Sequence, residues 1–229
     1  MGASQGVMPA PVVSAVVARL RRLDVCAVSD ALDRLGLPSA VGGLAQCSGA
    51  GLIAGRAITV RLGVGVPTDG TPRHLCSTAI EKGGPDDAIV VEQRTGIEAG
   101  SWGGLLSLGA IVRGIAGVVA DGPVRDIDEA RRHGFAVFAR SLTARTARGR
   151  IVELGTDVPV SIGELRVDAG DYVIADNSAV AFIAAGRIDA VLEAAESIAA
   201  REASMARAIR AGAPIGQVMS GDYEHMLRT

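Results

Sequence analysis

Short apolar segments rich in β-branched residues alternate with helical segments between residues 57 and 139. Strands are predicted at 57–62, 88–92, 118–120 and 136–139, and helices at 71–81, 105–113 and from Asp126 to Gly134. Gly114 and Gly134 follow the last two helices, as is typical of helix ends. Because strands and helices alternate with short connections, this part of the chain predicts an α/β unit.

The flanking regions follow other patterns. Residues 1–11 are rich in Gly, Ser and Pro and are predicted to be flexible. Helices are predicted at 12–20 and from an N-cap at Ser29 to Gly36, and an Asp121-Gly122 turn is predicted after the 118–120 strand. Beyond Arg140 we expect short strands and one long helix, at 158–162, 165–167, 172–175, 179–184 and 188–210. No repeat or linker appears, so residues 12–229 are predicted to form a single domain.

Charge and composition exclude several classes of protein. The net charge of −2 offers no basic surplus for nucleic acid, and no uncharged apolar run reaches about 18 residues, so no membrane span is predicted. Cys26, Cys47 and Cys76 are scattered and odd in number, which favours a reduced, cytoplasmic protein with three small buried side chains.

Arg125 and Asp126 are adjacent at a predicted helix start, in the loop that follows a buried strand. Ligands of α/β proteins bind in loops at this end of strands, and Mg²⁺ often uses a single carboxylate and keeps its waters. Asp126 is therefore a candidate metal ligand beside an anion-binding arginine. The alternative is a capping box, in which Asp126 is the N-cap and Glu129 lies three residues on.

Two further features carry candidate site residues. Gly103 and Gly104 open a helix ahead of Leu105 and Leu106, and the backbone amides of such a helix start could bind a carboxylate or a phosphate. An ordinary glycine turn is the alternative. On the long C-terminal helix, Glu202 falls within the apolar stripe, where a carboxylate is costly unless paired or near a metal. It could also reach solvent from the stripe edge.

Other chemistry has less support. Lys82 is the only lysine and lies at a polar helix end, so a desolvated Schiff-base lysine is not expected and metal is the favoured electron sink. His74, His133 and His225 lack metal-ligand spacing and are interpreted as surface or structural residues.

The motifs together resemble the RraA-like family, which includes class II 4-hydroxy-4-methyl-2-oxoglutarate aldolases and the regulator of ribonuclease activity A. The matching segments, which span most of the chain, are Val28-Ser29-Asp30-Ala31-Leu32, Trp102-Gly103-Gly104-Leu105-Leu106, the run from Arg113 to Asp126, and Ala200-Arg201-Glu202. The resemblance implies a layered β/β/α sandwich of the swivelling-domain type, in a single domain that assembles as a homotrimer or hexamer.

The resemblance also implies roles for the candidate residues. Asp126 would hold Mg²⁺ or Mn²⁺ largely through water, and Arg125 would bind the keto and enolate oxygens. The amides of Leu105 and Leu106 would bind the pyruvate carboxylate, and Glu202 would reach in from a neighbouring subunit.

Two departures from the family pattern stand out. The family's aldolases usually carry an acidic residue at the position of Gly104, where its carboxylate helps to hold the metal's waters. The segment from Asp176 to Phe182 lacks the usual Gly-Val-rich strand ending in Pro.

The leading hypothesis is a metal-dependent aldolase or decarboxylase, a lyase that cleaves a C–C bond of a 2-oxo acid through an enolate. The alternatives are a non-catalytic regulator that binds a ribonuclease, and a lyase of the family with a different substrate.

Overall fold

One mixed, curled sheet forms the centre of the computed structural model, which describes residues 14–65 and 73–219. The predicted flexible segment 1–11 lies outside these residues. The strands are β1 (Ala45–Ser48), β2 (Ile53–Gly63), β3 (Asp87–Glu92), β4 (Val118–Val124), β5 (Val137–Leu142), β6 (Val152–Thr156), β7 (Val160–Ile162), β8 (Leu165–Val167), β9 (Tyr172–Ala175) and β10 (Val180–Ile183). The α-helices are α1 (Ala15–Leu20), α2 (Val25–Arg34), α3 (Ser77–Lys82), α4 (Gly104–Arg113), α5 (Ile127–His133), α6 (Ile188–Arg210) and α7 (Ile215–Val218).

The predicted α/β unit is confirmed. The sheet order is β1-β5-β4-β3-β2-β9-β10, with β6 also paired to β2, and the four central strands β2 to β5 run parallel. Helices α3, α4 and α5 lie between these strands in the chain and pack on one face of the sheet. Trp102, which is 1% exposed, stacks on Phe135 within this layer. The same edge of the sheet therefore carries the starts of α4 and α5.

The remaining elements build the second half of the layered β/β/α arrangement. The β7–β8 hairpin and one side of the β9–β10 hairpin cover the opposite face of the parallel strands. Helices α1, α2 and α6 pack on the outer side of β9 and β10. The α/β, single-domain layering implied by the family resemblance is thus observed.

Several local predictions were wrong. Helix α2 begins at Val25 with Asp24 as its N-cap, whose carboxylate accepts a hydrogen bond from the Ala27 amide, so Ser29 lies inside the helix. Helix α3 begins at Ser77, later than predicted. Strand β6 was not predicted at all. Cys26 is exposed and Cys47 is half-buried, so only Cys76 fits the interpretation of a small buried side chain.

The predicted turn at Asp121-Gly122 is also wrong, because β4 continues through both residues to Val124. Asp121 is 5% exposed and points towards the β7–β8 hairpin. Its carboxylate accepts hydrogen bonds from Arg140 Nε at 2.5 Å and from the Gly163 amide at 2.6 Å. It therefore ties β4 to β5 and to the hairpin turn, on the face opposite α3, α4 and α5.

We expect Asp121→Ala to lower the free energy of unfolding by about 2 kcal/mol, because the half-buried Gly163 amide and the Arg140 guanidinium lose their shared acceptor. Urea denaturation would measure this loss. Asp128→Ala is the matched control, since its ion pair with Arg131 lies on the surface and is worth less than about 0.5 kcal/mol. Equal denaturation midpoints for the two variants would contradict the structural role of Asp121.

The atypical segment from Asp176 to Phe182 forms the turn and second strand of the β9–β10 hairpin. Asp176 accepts hydrogen bonds from the Ser178 amide at 2.7 Å and from the Val25 amide at 3.1 Å. The segment therefore orders its own turn and supports the start of α2.

Candidate active site

A cavity of about 910 Å³ lies at the carboxyl end of the parallel strands. One wall consists of the start of α4, preceded by Gly100 and Trp102, together with Arg125 and Asp126. The other wall consists of residues 146–149 and strand β6. The structure thus brings together every predicted site residue except Glu202.

Asp126 has a left-handed backbone, with φ 55°, and its side chain makes no capping hydrogen bond to its own helix. Its Oδ2 atom instead accepts a hydrogen bond from the Gly104 amide at 3.2 Å, across to α4. The capping-box alternative is therefore wrong: Asp126 occupies the N-cap position of α5, but its carboxylate caps the neighbouring helix. About a third of the side chain stays exposed at the cavity wall.

Arg125 lies alongside this carboxylate. Its Nε atom is 3.2 Å from both carboxylate oxygens of Asp126. The terminal Nη atoms donate to no residue in the described part of the chain. Backbone pairing fixes the position of the loop, since the Arg125 amide donates to the Trp102 carbonyl at 2.9 Å. The guanidinium is thus oriented by Asp126 while its outer edge remains available to a ligand.

Glycine in the loop that faces Arg125 and Asp126 leaves space that neighbouring side chains occupy. A Cβ atom on Gly100 would lie 2.8 Å from Arg125 Cγ, and one on Gly103 would lie 2.9 Å from Asp126 Oδ2. A Cβ on Gly104 would overlap Glu129 Oε2 and lie 2.7 Å from Glu129 Cδ. The glycines therefore let the side chains of Asp126 and Glu129 lie directly against the backbone at the start of α4.

The first turn of α4 presents free backbone donors. The first four amides of any helix lack an intrahelical acceptor. Here the Gly104 amide binds Asp126 and the Ser107 amide binds the Gly103 carbonyl, whereas no described residue accepts from Leu105 or Leu106. These two amides match the predicted carboxylate-binding donors, because a helix N-terminus attracts anions.

The opposite wall contains residues that no sequence motif identified as part of the site. Glu153 on β6 accepts hydrogen bonds from the Cys76 amide and the Thr156 hydroxyl, both at 2.6 Å. His74 and Arg148 also line the cavity.

Glu202 does not line the cavity of its own chain. It lies on α6, which packs against α2 on the far side of the molecule. Burial raises the pKa of the Glu202 carboxyl, and the charges of Asp24 and Asp30 raise it further. The predicted apolar stripe of α6 is buried up to Ile198, whereas Ile209 near its end is 39% exposed.

The donor set suits a hydrated hard cation. Within residues 14–65 and 73–219 there is no cluster of three or more His, Cys, Asp or Glu side chains that could hold a metal. A fully protein-ligated site of the zinc type therefore does not fit these residues. One partly exposed carboxylate, with room for water beside glycine backbone, does fit Mg²⁺ or Mn²⁺, which bind through few carboxylates and keep several waters.

Comparison with known proteins places the chain in a family. The sequence pattern of the RraA-like family, described as Aldolase/RraA, matches residues 25–182. The protein therefore belongs to the RraA-like family.

Individual relatives differ in name and length. Protein DlpA of Legionella pneumophila is 28% identical over 198 residues, which are 86% of this chain but 32% of DlpA. Uncharacterized protein MJ0644 of Methanocaldococcus jannaschii is 32% identical over 54% of this chain and 59% of its own length. The chain thus spans about a third of the first relative and less than two thirds of the second. A protein of Halalkalibacterium halodurans named "Putative 4-hydroxy-4-methyl-2-oxoglutarate aldolase" is 27% identical over 84% of this chain and 88% of its own.

Solved structures share the fold. An uncharacterized protein from Pseudomonas syringae is 25% identical, with a TM-score of 0.80 over 91% of this chain and 98% of that one. RraAS2 of Streptomyces coelicolor is 22% identical, with a TM-score of 0.75 over 86% of this chain and all of that one. Among the described helices of this protein, none has the length and apolar character needed to cross a bilayer.

Proposed function

We propose that this protein is a divalent-metal-dependent lyase that cleaves a C–C bond of a 2-oxo acid through an enolate. The observation that carries the proposal is the juxtaposition of Asp126, Arg125 and the free amides of α4 on one wall of the cavity. Retro-aldol cleavage of a 4-hydroxy-4-methyl-2-oxoglutarate-type substrate and decarboxylation of oxaloacetate both pass through the enolate of pyruvate.

The Leu105 and Leu106 amides would bind the carboxylate of the 2-oxo acid. They point from the positive end of a ten-residue helix, and no described residue competes for them. Backbone donors held by a helix need no reorganisation when the anion arrives. This contact fixes the substrate's reactive end beside Arg125.

Arg125 would stabilise the negative charge that develops on the keto oxygen. Its Nε atom is held by Asp126, so its free Nη atoms can donate to that oxygen. A guanidinium stays protonated throughout, and preorganised donors aimed at developing charge are often the largest catalytic contribution.

Asp126 is the residue that would hold Mg²⁺ or Mn²⁺. When bound, the cation would supply Lewis-acid stabilisation of the same negative charge. Asp126 also orients Arg125 and the Gly104 amide, so one carboxylate would link the cation, the guanidinium and the start of α4.

Glu202 would complete the site from a neighbouring subunit of a homotrimer, or of a hexamer built from two. Two features of the single chain support this. Glu202 does not line the cavity of its own chain, and α4, whose start lines that cavity, exposes an apolar face. Leu105 is 84% exposed and Val112 is 78% exposed on that helix. A second copy of the chain would cover such a face.

We expect Asp126→Asn and Glu202→Gln, each inactive alone, to regain activity when they are mixed and allowed to exchange subunits. In a trimer with shared sites, about a quarter of the sites would combine an intact Asp126 with an intact Glu202. Pyruvate release by the mixture, compared with each variant alone, measures this. No recovery after proven subunit exchange would contradict a shared site.

The proposed function is tested by assaying pyruvate release from 4-hydroxy-4-methyl-2-oxoglutarate, from oxaloacetate and from a panel of other 2-oxo acids, with Mg²⁺ or Mn²⁺. Turnover that requires the metal is expected for at least one substrate. Turnover that persists undiminished in a chelator would contradict the mechanism. Absence of pyruvate release from every substrate of the panel, together with recovery of a ribonuclease in a pull-down, would favour the regulator hypothesis instead.

A further inference from the structure

The carboxylate of Glu129, on α5, lies against the backbone at the start of α4. Gly103 and Gly104 both lack a Cβ atom, and in both cases a carboxylate takes up the free space. Asp126 Oδ2 lies in the space beside Gly103, and Glu129 Oε2 lies in the space beside Gly104. A side chain at residue 104 and the observed position of Glu129 are mutually exclusive.

The Glu129 carboxylate has no partner that accounts for this position. In the described parts of the chain it makes no side-chain hydrogen bond and no ion pair, and the expected capping contact to Asp126 does not form. An exposed glutamate ordinarily extends into water, because fixing its three torsions costs conformational entropy. Here it folds back onto the backbone of Gly104 at the start of α4, whose positive end attracts it as it attracts the Asp126 carboxylate.

We infer that Glu129 is the second carboxylate of the cation site, and that Gly104 is glycine so that Glu129 can reach it. This inference rests on the proposed function. Glu129 would accept hydrogen bonds from the water ligands of a Mg²⁺ or Mn²⁺ ion held by Asp126, and would act as a positioning residue. The acidic group that α4 lacks at residue 104 is supplied by α5 in this chain.

The test measures binding of Mn²⁺ alone, through the loss of the free-ion signal in electron paramagnetic resonance. Glu129→Gln keeps the shape of the side chain and removes its charge, and we expect Mn²⁺ affinity to fall about 10-fold, as is typical when an outer partner of a metal ligand is lost. Asp128→Asn is the matched control: it removes the same charge one residue away, from a side chain that is 82% exposed. Its effect should stay below about 2-fold.

A swapped variant tests the geometry. Glu129→Ala should weaken Mn²⁺ binding as Glu129→Gln does, and the double variant Gly104→Asp/Glu129→Ala should restore most of the lost affinity. Equal affinities for Glu129→Gln and Asp128→Asn would overturn the inference, as would a folded double variant that binds no better than Glu129→Ala. If the double variant does not fold, the comparison of Glu129→Gln with Asp128→Asn decides alone.

The same measurements separate this inference from the proposed function. Mn²⁺ binding that depends on both Asp126 and Glu129, without pyruvate release from any substrate, would keep the inference and overturn the lyase. Metal-dependent pyruvate release that is unaffected by Glu129→Gln, with unchanged Mn²⁺ affinity, would do the reverse. A wild-type protein that binds no Mn²⁺ would overturn both.

Discussion

Asp126→Asn is expected to abolish Mn²⁺ binding and to lower metal-dependent pyruvate release by about 1000-fold, the upper range for losing one electrostatic catalytic group. The substitution is well suited to the site, because Asn tolerates the left-handed backbone at residue 126. Its side-chain oxygen can still accept the hydrogen bond from the Gly104 amide. The loss would therefore reflect the missing charge rather than a damaged loop.

Circular dichroism and urea denaturation should show an Asp126→Asn variant as stable as the wild type. Asp128→Asn serves again as the control, since it removes one carboxylate from the same helix without touching the cavity. A fully active Asp126→Asn variant would show that a metal held by Asp126 is not needed for the reaction.

Arg125→Lys is expected to lower kcat by about 100-fold while changing KM much less, because the guanidinium contact is strongest in the charged transition state. Lysine keeps the positive charge but lacks the planar fork that can bind Asp126 with Nε and a ligand with its Nη atoms. Steady-state kinetics on the best substrate measures the changes in kcat and KM separately. Arg132→Lys, at an exposed position of α5, is the control and should leave both constants unchanged.

An Arg125→Lys variant that raises KM alone would show that Arg125 contributes only to ground-state binding. That result would mean that a group other than Arg125 stabilises the enolate. It would leave the metal site at Asp126 intact.

The sequence identified one wall of the site because that wall is built from two continuous motifs. Gly103-Gly104-Leu105-Leu106 and Arg125-Asp126 each follow a parallel strand, and adjacent parallel strands end at the same edge of a sheet. The α/β alternation and the full extent of α6 were predictable from periodicity for the same reason: the pattern is local.

The features that could not be predicted from the sequence depend on distances between helices and strands. The position of Glu129 against Gly104 follows from how closely α4 and α5 approach, which no local pattern encodes. The direction of the Asp121 side chain, towards the β7–β8 hairpin, follows from its place within β4, whereas the sequence predicted a turn at Asp121-Gly122. Strand β6, which carries Glu153, is short and half-buried, so its residues show no clear pattern of apolar and polar positions that would predict a strand.

Exchange of the methyl protons of pyruvate for deuterium tests the central claim most directly, since it requires the enolate but not the unknown distal part of the substrate. Proton NMR in deuterated buffer follows the loss of the methyl signal. We expect exchange that needs both the protein and Mg²⁺ or Mn²⁺, and that is lost in Asp126→Asn and strongly slowed in Arg125→Lys. Exchange no faster than in buffer with metal alone, or equally fast in a chelator, would contradict this claim.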